Sequence, residues 1–117
     1  MTNHLINNLK ILIGGNHEEE DEKQDYPYKV FSIRRLSREG CLSTYDLEVN
    51  VWDRNKYYSG AEAMMDELEK NLDFNEVLTD KMLIRTFKGT RENVPDPDKS
   101  IKRIRAKFTL HVYEREV

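Results

Sequence analysis

The residues best suited to binding a metal lie near the N-terminus of this chain of 117 residues. His17 stands beside Glu18, Glu19 and Glu20, and imidazole with carboxylates could form a hard or mixed metal site. Such a site needs ligands held in a fixed geometry, and the surrounding polar segment has no residues that would provide a framework. We therefore interpret this run as a solvated charged loop and expect no metal.

Other patterns for catalysis or phosphate binding are also absent from the sequence. His4 and His111 have no Cys or His partner at ligand spacing. No Gly-x-Ser-x-Gly turn or cysteine signature supports a nucleophile. Gly14-Gly15 precedes an acidic run, whereas a phosphate cradle needs free amides and a cation. The sequence therefore predicts neither an enzyme nor a cofactor.

A row of cations on the last predicted strand is the strongest candidate for a contact surface. Arg103, Arg105 and Lys107 share one parity of that strand and would face outward together. An exposed charged face is also ordinary on an antiparallel sheet, so both a solvated face and a binding surface remain open. Trp52 lies on the polar side of its own strand, where the first helix or a partner subunit would have to cover its indole.

Length and composition limit the class of protein. We expect one domain, 1–117, because a chain of this length buries one modest core. The formal net charge of -3 argues against a general nucleic-acid binder. Residues 18–22 form an acidic block, while basic residues crowd near the C-terminus. Cys41 is the single cysteine, and no apolar run approaches the roughly 20 residues of a membrane helix.

Two strands are predicted by strict alternation. Within the strand predicted from Tyr45 to Asp53, one parity carries Tyr45, Leu47, Val49 and Val51, and the other carries Asp46, Glu48 and Asn50. From Ile104 to Val112 the same alternation returns. Two more strands are expected at 26–34 and 82–88 from their β-branched and aromatic content.

Two helices complete the pattern. Residues 3–13 carry an apolar stripe that Gly14 should end, and Ser59 to Glu62 reads as a capping box that starts a second helix. We expect a mobile acidic loop at 16–25 and a Pro-Asp loop at 93–100. The predicted fold is α+β, with a four-stranded antiparallel sheet, helices packed on one face and the order α-β-β-α-β-β. Its predicted core centre comprises Leu47, Val49, Met65, Leu68, Phe108 and Leu110.

Four short elements, taken in order, resemble the tail-completion proteins of long-tailed bacteriophages, the tail-to-head joining or tail-terminator family found also in prophages. They span the chain from about Tyr26 to Glu114. The chain length and the predicted element order agree with this resemblance. The elements are Tyr26-Pro27-Tyr28, Val51-Trp52-Asp53, Pro95-Asp96-Pro97-Asp98 and Arg103-Ile104-Arg105.

The resemblance implies a small structural protein, made in the host bacterial cytoplasm and located in the virion at the head-tail interface. It would cap the tail tube and join it to the head connector, commonly as a six-subunit ring. Its partners would be other copies of itself, the major tail tube protein, the head connector or head completion protein, and double-stranded DNA that passes through without sequence recognition. No membrane is implied. Expected interface residues are Trp52, Arg103, Arg105, Lys107, Glu18, Glu19 and Glu20.

A different class of function also fits the residues. A small, non-enzymatic protein-binding or regulatory domain could bind an acidic partner through the basic C-terminal strand. The behaviour of the chain on size exclusion, with and without tail tubes, would separate this alternative from a tail component.

Overall fold

The computed structural model describes residues 2–17, 26–72 and 76–114. Within these ranges two helices and six strands follow one another in the order α-β-β-β-α-β-β-β. The helices are α1 (Thr2–Ile13) and α2 (Ser59–Leu72), and the strands are β1 (Asn16–His17), β2 (Tyr28–Glu39), β3 (Leu42–Arg54), β4 (Glu76–Leu78), β5 (Met82–Val94) and β6 (Ile101–Glu114).

All the described strands belong to one sheet, with the spatial order β1-β2-β3-β6-β5-β4. Five of them run antiparallel to their neighbours, and β1 adds a two-residue parallel edge beside β2. The prediction of a four-stranded sheet in the order α-β-β-α-β-β is therefore wrong. The missed strands, β1 and β4, contain two and three residues, which is too short for alternation to be visible in the sequence.

Two strands continue through an irregularity close to the position where the sequence predicted their end. The register of β2 against β3 shifts between Arg35 and Ser37, and the register of β5 against β6 shifts between Lys88 and Arg91. Gly89 lies within the second shift, where a Cβ would come within 2.6 Å of the Lys107 carbonyl oxygen. A glycine inside a strand often marks such a bulge and close backbone approach rather than the strand's end.

The structure revises the positions at which the two predicted loops begin. Residues 95–100 connect β5 to β6, so the Pro-Asp loop predicted at 93–100 begins two residues later. Asn16 and His17 form β1, so the predicted loop at 16–25 is wrong at its first two positions. Residues 18–25 lie outside the described residues.

One face of the sheet carries the core. Tyr45, Leu47, Val49 and Val51 of β3 are buried and pair directly with buried residues of β6. Apolar residues of both helices join the same cluster, so both helices cover this face. Neither described helix covers the opposite face, which we call the open face of the sheet. The helical members are Leu5, Leu9, Ile13, Ala61, Met65, Leu68 and Leu72.

The helix boundaries confirm one expectation and correct another. Gly14 has a φ of 71° and its amide donates to the Lys10 carbonyl, so it ends α1 as predicted. At the start of α2 the Glu62 amide donates to the Tyr58 carbonyl at 2.8 Å, which makes Tyr58 the N-cap residue. The capping box predicted at Ser59 is therefore wrong, since the backbone begins the helix one residue earlier.

We expect Leu110→Ala to destabilise the chain by about 2 to 5 kcal/mol, because Leu110 is fully buried between β3 and the helices. Chemical denaturation would measure the loss. Leu78→Ala is the matched control: Leu78 is 66% exposed, so this change should stay within about 0.5 kcal/mol. Equal effects of the two substitutions would contradict the assignment of the core face.

Candidate interaction surface

The open face of the sheet brings together side chains that are far apart in the sequence. Tyr28 of β2 pairs with Trp52 of β3, and Trp52 pairs with Arg103 of β6. These three residues therefore form one row across three strands. Because cross-strand neighbours on one face of a sheet contact each other directly, the register alone places an aromatic pair beside a cation.

We call the group formed by Tyr26, Tyr28, Trp52, Arg54 and Arg103 the aromatic–arginine cluster. The Tyr28 and Trp52 rings are stacked, with centroids 5.1 Å apart and planes 16° from parallel. The Arg103 guanidinium lies 4.8 Å from the Trp52 ring centroid, and the Arg54 guanidinium lies 5.0 Å from that of Tyr26. The Tyr26 and Tyr28 centroids are 5.2 Å apart. The cluster is thus a continuous set of ring and cation–π contacts.

Hydrogen bonds fix the position of Arg103. Its Nε donates to Asn50 Oδ1 at 2.9 Å, and the Asn50 amide nitrogen donates to a Glu48 carboxylate oxygen at 3.3 Å. Asn50 is 7% exposed, so this is a buried anchor beneath a half-buried arginine. Burial, with a further contribution from Tyr26, raises the pKa of Tyr28 above its ordinary value, because burial disfavours the charged phenolate.

Arg105 occupies a different electrostatic environment from Arg103. Its Nε donates to Glu92 of β5 at 2.8 Å, and it also lies 3.8 Å from a Glu48 oxygen. The hydrogen bond from Arg105 is the largest cause of a lowered pKa at Glu92. Two carboxylates therefore lie beside this guanidinium and partly compensate its positive charge.

The remaining predicted interface residues are separated from the cluster. Lys107 is exposed and lies two residues after Arg105, on the same face of β6. Together with Arg34, Asp46 and Glu48 it borders a shallow depression. Glu18, Glu19 and Glu20 lie outside the described residues. The structure thus brings together Trp52 and Arg103, and places Arg105 and Lys107 in neighbouring rows. The interface role of all these residues stays a prediction.

Sequence reasoning missed Tyr26, Tyr28 and Arg54 as members of the surface. It expected the first helix or a partner to cover Trp52, but α1 packs on the opposite face of the sheet. Tyr28 and Arg103 cover the indole instead. The available signal was the presence of apolar residues on both parities of β2, which indicates partial cover on both faces.

A second charged cluster links α2 to β5 by salt bridges. Arg91 lies 2.6 Å from Asp66 and 3.5 Å from Glu69, and Lys88 lies 3.2 Å from Glu69. Glu69 is 9% exposed, and its Oε1 has an ion-pair partner in Arg91 without the geometry of a hydrogen bond. Lys88 and Arg91 lie on either side of the bulge at Gly89, through which β5 continues. We interpret this charged cluster as a structural contact between β5 and α2.

The described ranges contain no group of three or more His, Cys, Asp or Glu side chains that could hold a metal ion. They likewise contain no helix that is long and apolar enough to span a membrane. Within those ranges, the aromatic–arginine cluster is the arrangement whose chemistry best fits recognition of another molecule. Aromatic residues and arginine are the types most enriched at binding hot spots.

Comparisons with known proteins return a match in structure alone. No family model matches the sequence, and no curated protein matches it. Among solved structures, a chain from the virion of a native gene transfer agent particle is similar, with a TM-score of 0.67 and 16% sequence identity. The similarity covers 92% of this chain and 84% of that chain. The two chains therefore share a fold over nearly their whole lengths.

We expect Arg105→Gln to raise the pKa of Glu92, because the hydrogen bond from Arg105 favours the ionised carboxylate. The lowered pKa keeps Glu92 ionised to a lower pH than an ordinary glutamate, and the pair is lost as the pH falls through the pKa of Glu92. Titration of the Glu92 carboxyl by NMR measures the shift. Arg85→Gln, which removes the separate pair with Glu76, is the control and should leave Glu92 unchanged. An unaltered Glu92 titration in Arg105→Gln would contradict this geometry.

Proposed function

We propose that this chain is a structural component of a phage-like virion, without enzymatic activity, that caps the tail tube and joins it to the head connector. The observation that carries the proposal is the shared fold with a chain of a gene transfer agent virion, which extends over 92% of this chain. The resemblance of four short sequence elements to the tail-completion family supports the narrower role.

The positions of those four elements in the fold add support. Tyr28, Trp52 and Arg103 each belong to a different element, yet they form one row on the open face. The fourth element, 95–98, lies at the same end, because the Ile101 amide donates to the Asp98 carbonyl just before β6 pairs with Arg54. If the four sequence elements take part in the same intermolecular contact, they are expected to lie on one surface of the fold.

The proposed assembly is a ring, commonly of six copies, through which double-stranded DNA passes without sequence recognition. A ring requires a heterologous contact, in which one patch of a subunit meets a different patch of the next. Arg103, Arg105 and Lys107 form the proposed cationic side, and Trp52 is the proposed aromatic contact beside them. The proposed opposing side consists of Glu18, Glu19 and Glu20 or of acidic residues of α2.

Joining through strand edges is less suited to this contact than joining through side chains. In the described part, β1 pairs only with Val30 and Phe31, and β4 pairs only with 83–85, so long stretches of β2 and β5 are edges. Both stretches contain a register irregularity and several cations. Bulges and charged side chains are the features by which proteins discourage edge-to-edge pairing.

The other proposed partners are the major tail tube protein and the head connector or head completion protein. The chain would be made in the host bacterial cytoplasm and would end in the virion at the head-tail interface. A binding domain that uses the basic C-terminal strand alone is less favoured, because Glu48 and Glu92 surround the central cation, Arg105.

A phage or prophage that lacks this protein is expected to produce filled heads and separate tails that fail to join. The physical reason is that an uncapped tube offers the connector no complementary surface. Electron microscopy of lysates, with the wild-type protein supplied in trans as the control, measures the fraction of joined particles. Intact infectious particles from the deletion would contradict the joining role.

A further inference from the structure

Arg54 and Arg103 differ from Arg105 in having no carboxylate at salt-bridge distance within the described ranges. Arg105 contacts both Glu48 and Glu92, whereas Arg54 and Arg103 lie on the rings of Tyr26 and Trp52. A guanidinium held on an aromatic ring still presents its planar N–H edge, and that edge matches a carboxylate. The aromatic–arginine cluster therefore offers two oriented cations to an acidic partner.

The arrangement of the rings favours a protein partner over a nucleobase. Binding of single strands relies on aromatic faces that are open for base stacking. Here Trp52 contacts Tyr28 and Arg103, and Tyr26 contacts Tyr28 and Arg54. Each ring already contacts a neighbour, which leaves less of its face for base stacking. Within the described ranges, the guanidinium N–H groups other than Arg103 Nε, which donates to Asn50, can contact a partner.

The distribution of charge in this chain supplies a complementary partner. The described ranges contain 17 Lys and Arg against 14 Asp and Glu. The full chain contains 19 against 22, so the other residues contain two basic and eight acidic side chains. Five of those eight are consecutive, at positions 18–22. The described body is therefore net positive, and the acidic excess is concentrated in one short segment.

We propose that the aromatic–arginine cluster of one copy binds the acidic segment 18–22 of a second copy. This inference rests on the ring proposed above and names its contact: Arg54 and Arg103 take the place of Arg105 and Lys107 as the cationic side. The two surfaces differ, so the contact is heterologous and repeats around a ring. Charge pairs of this kind are screened over about 8 Å at physiological ionic strength, so self-association weakens as salt is raised.

Reciprocal charge reversal tests the contact. The cluster variant carries Arg54→Glu and Arg103→Glu, and the segment variant carries Glu18→Lys, Glu19→Lys and Glu20→Lys. Sedimentation velocity of each full-length chain is expected to show self-association weakened by about tenfold or more, the scale of a lost charge-pair coupling. An equimolar mixture of the two variants is expected to regain the wild-type assembly, because each supplies the charge that the other lacks.

Controls separate loss of contact from loss of fold. Arg35→Glu with Lys81→Glu reverses two exposed cations at the other end of the molecule and should leave self-association unchanged. Arg54→Gln with Arg103→Gln removes the charge without reversal and is expected to weaken self-association less. Thermal melting of each variant shows whether it is folded. If the variant with Arg54→Glu and Arg103→Glu does not fold, the variant with Arg54→Gln and Arg103→Gln is used in its place.

Several outcomes would overturn the proposal. The proposal is wrong if the wild-type chain stays monomeric at all concentrations. It is also wrong if the folded variants self-associate like wild type, or if the equimolar mixture of the cluster and segment variants does not associate. A single chain that carries the substitutions of both variants should associate again, because both sides of the contact are reversed. If this chain does not associate, the contact is excluded. Loss of DNA retention without loss of association in the cluster variant would indicate a nucleic-acid surface instead. Failure of the joining role itself would appear separately, as intact particles from the deletion.

Discussion

The unbroken pairing of β3 with β6 is the constraint on which the remaining structure depends. The two strands pair at every position from Leu42–Tyr113 to Arg54–Ile101 without a shift in register. Because side chains alternate along both strands, this pairing collects the apolar set on one face and the polar and aromatic set on the other. A slip of one residue would exchange the two sets, so burial of the apolar face also fixes the composition of the open face.

The parts of the fold that were visible in the sequence are those with strong local patterns. The alternation from Tyr45 to Asp53 and from Ile104 to Val112 marks the two central strands, and the apolar stripes mark both helices. The strand count and the element order were not visible, because β1 and β4 are short and depend on contacts with distant residues. The strand predicted at 82–88 ended too early for a related reason: the bulge at Gly89 depends on close approach to the Lys107 backbone of β6, which is distant in sequence.

The candidate surface was only partly predictable for the same physical reason. The parity of β6 correctly places Arg103, Arg105 and Lys107 on one face, but parity does not reveal which carboxylates lie across the neighbouring strands. The register does so: it gives Arg105 two carboxylates and gives Arg103 an indole and an amide. Three cationic residues of one parity therefore have three different environments, and the aromatic end of the face differs most from the rest.

In the proposed assembly, the end of the open face around Trp52 becomes a contact surface. Hydroxyl-radical footprinting of the free chain and of assembled particles compares the solvent exposure of the same side chains in both states. We expect Tyr26, Tyr28 and Trp52 to lose reactivity on assembly, while exposed residues elsewhere, such as Leu36, remain reactive. Equal reactivity of the three aromatic residues in the free chain and in the particle would contradict the account.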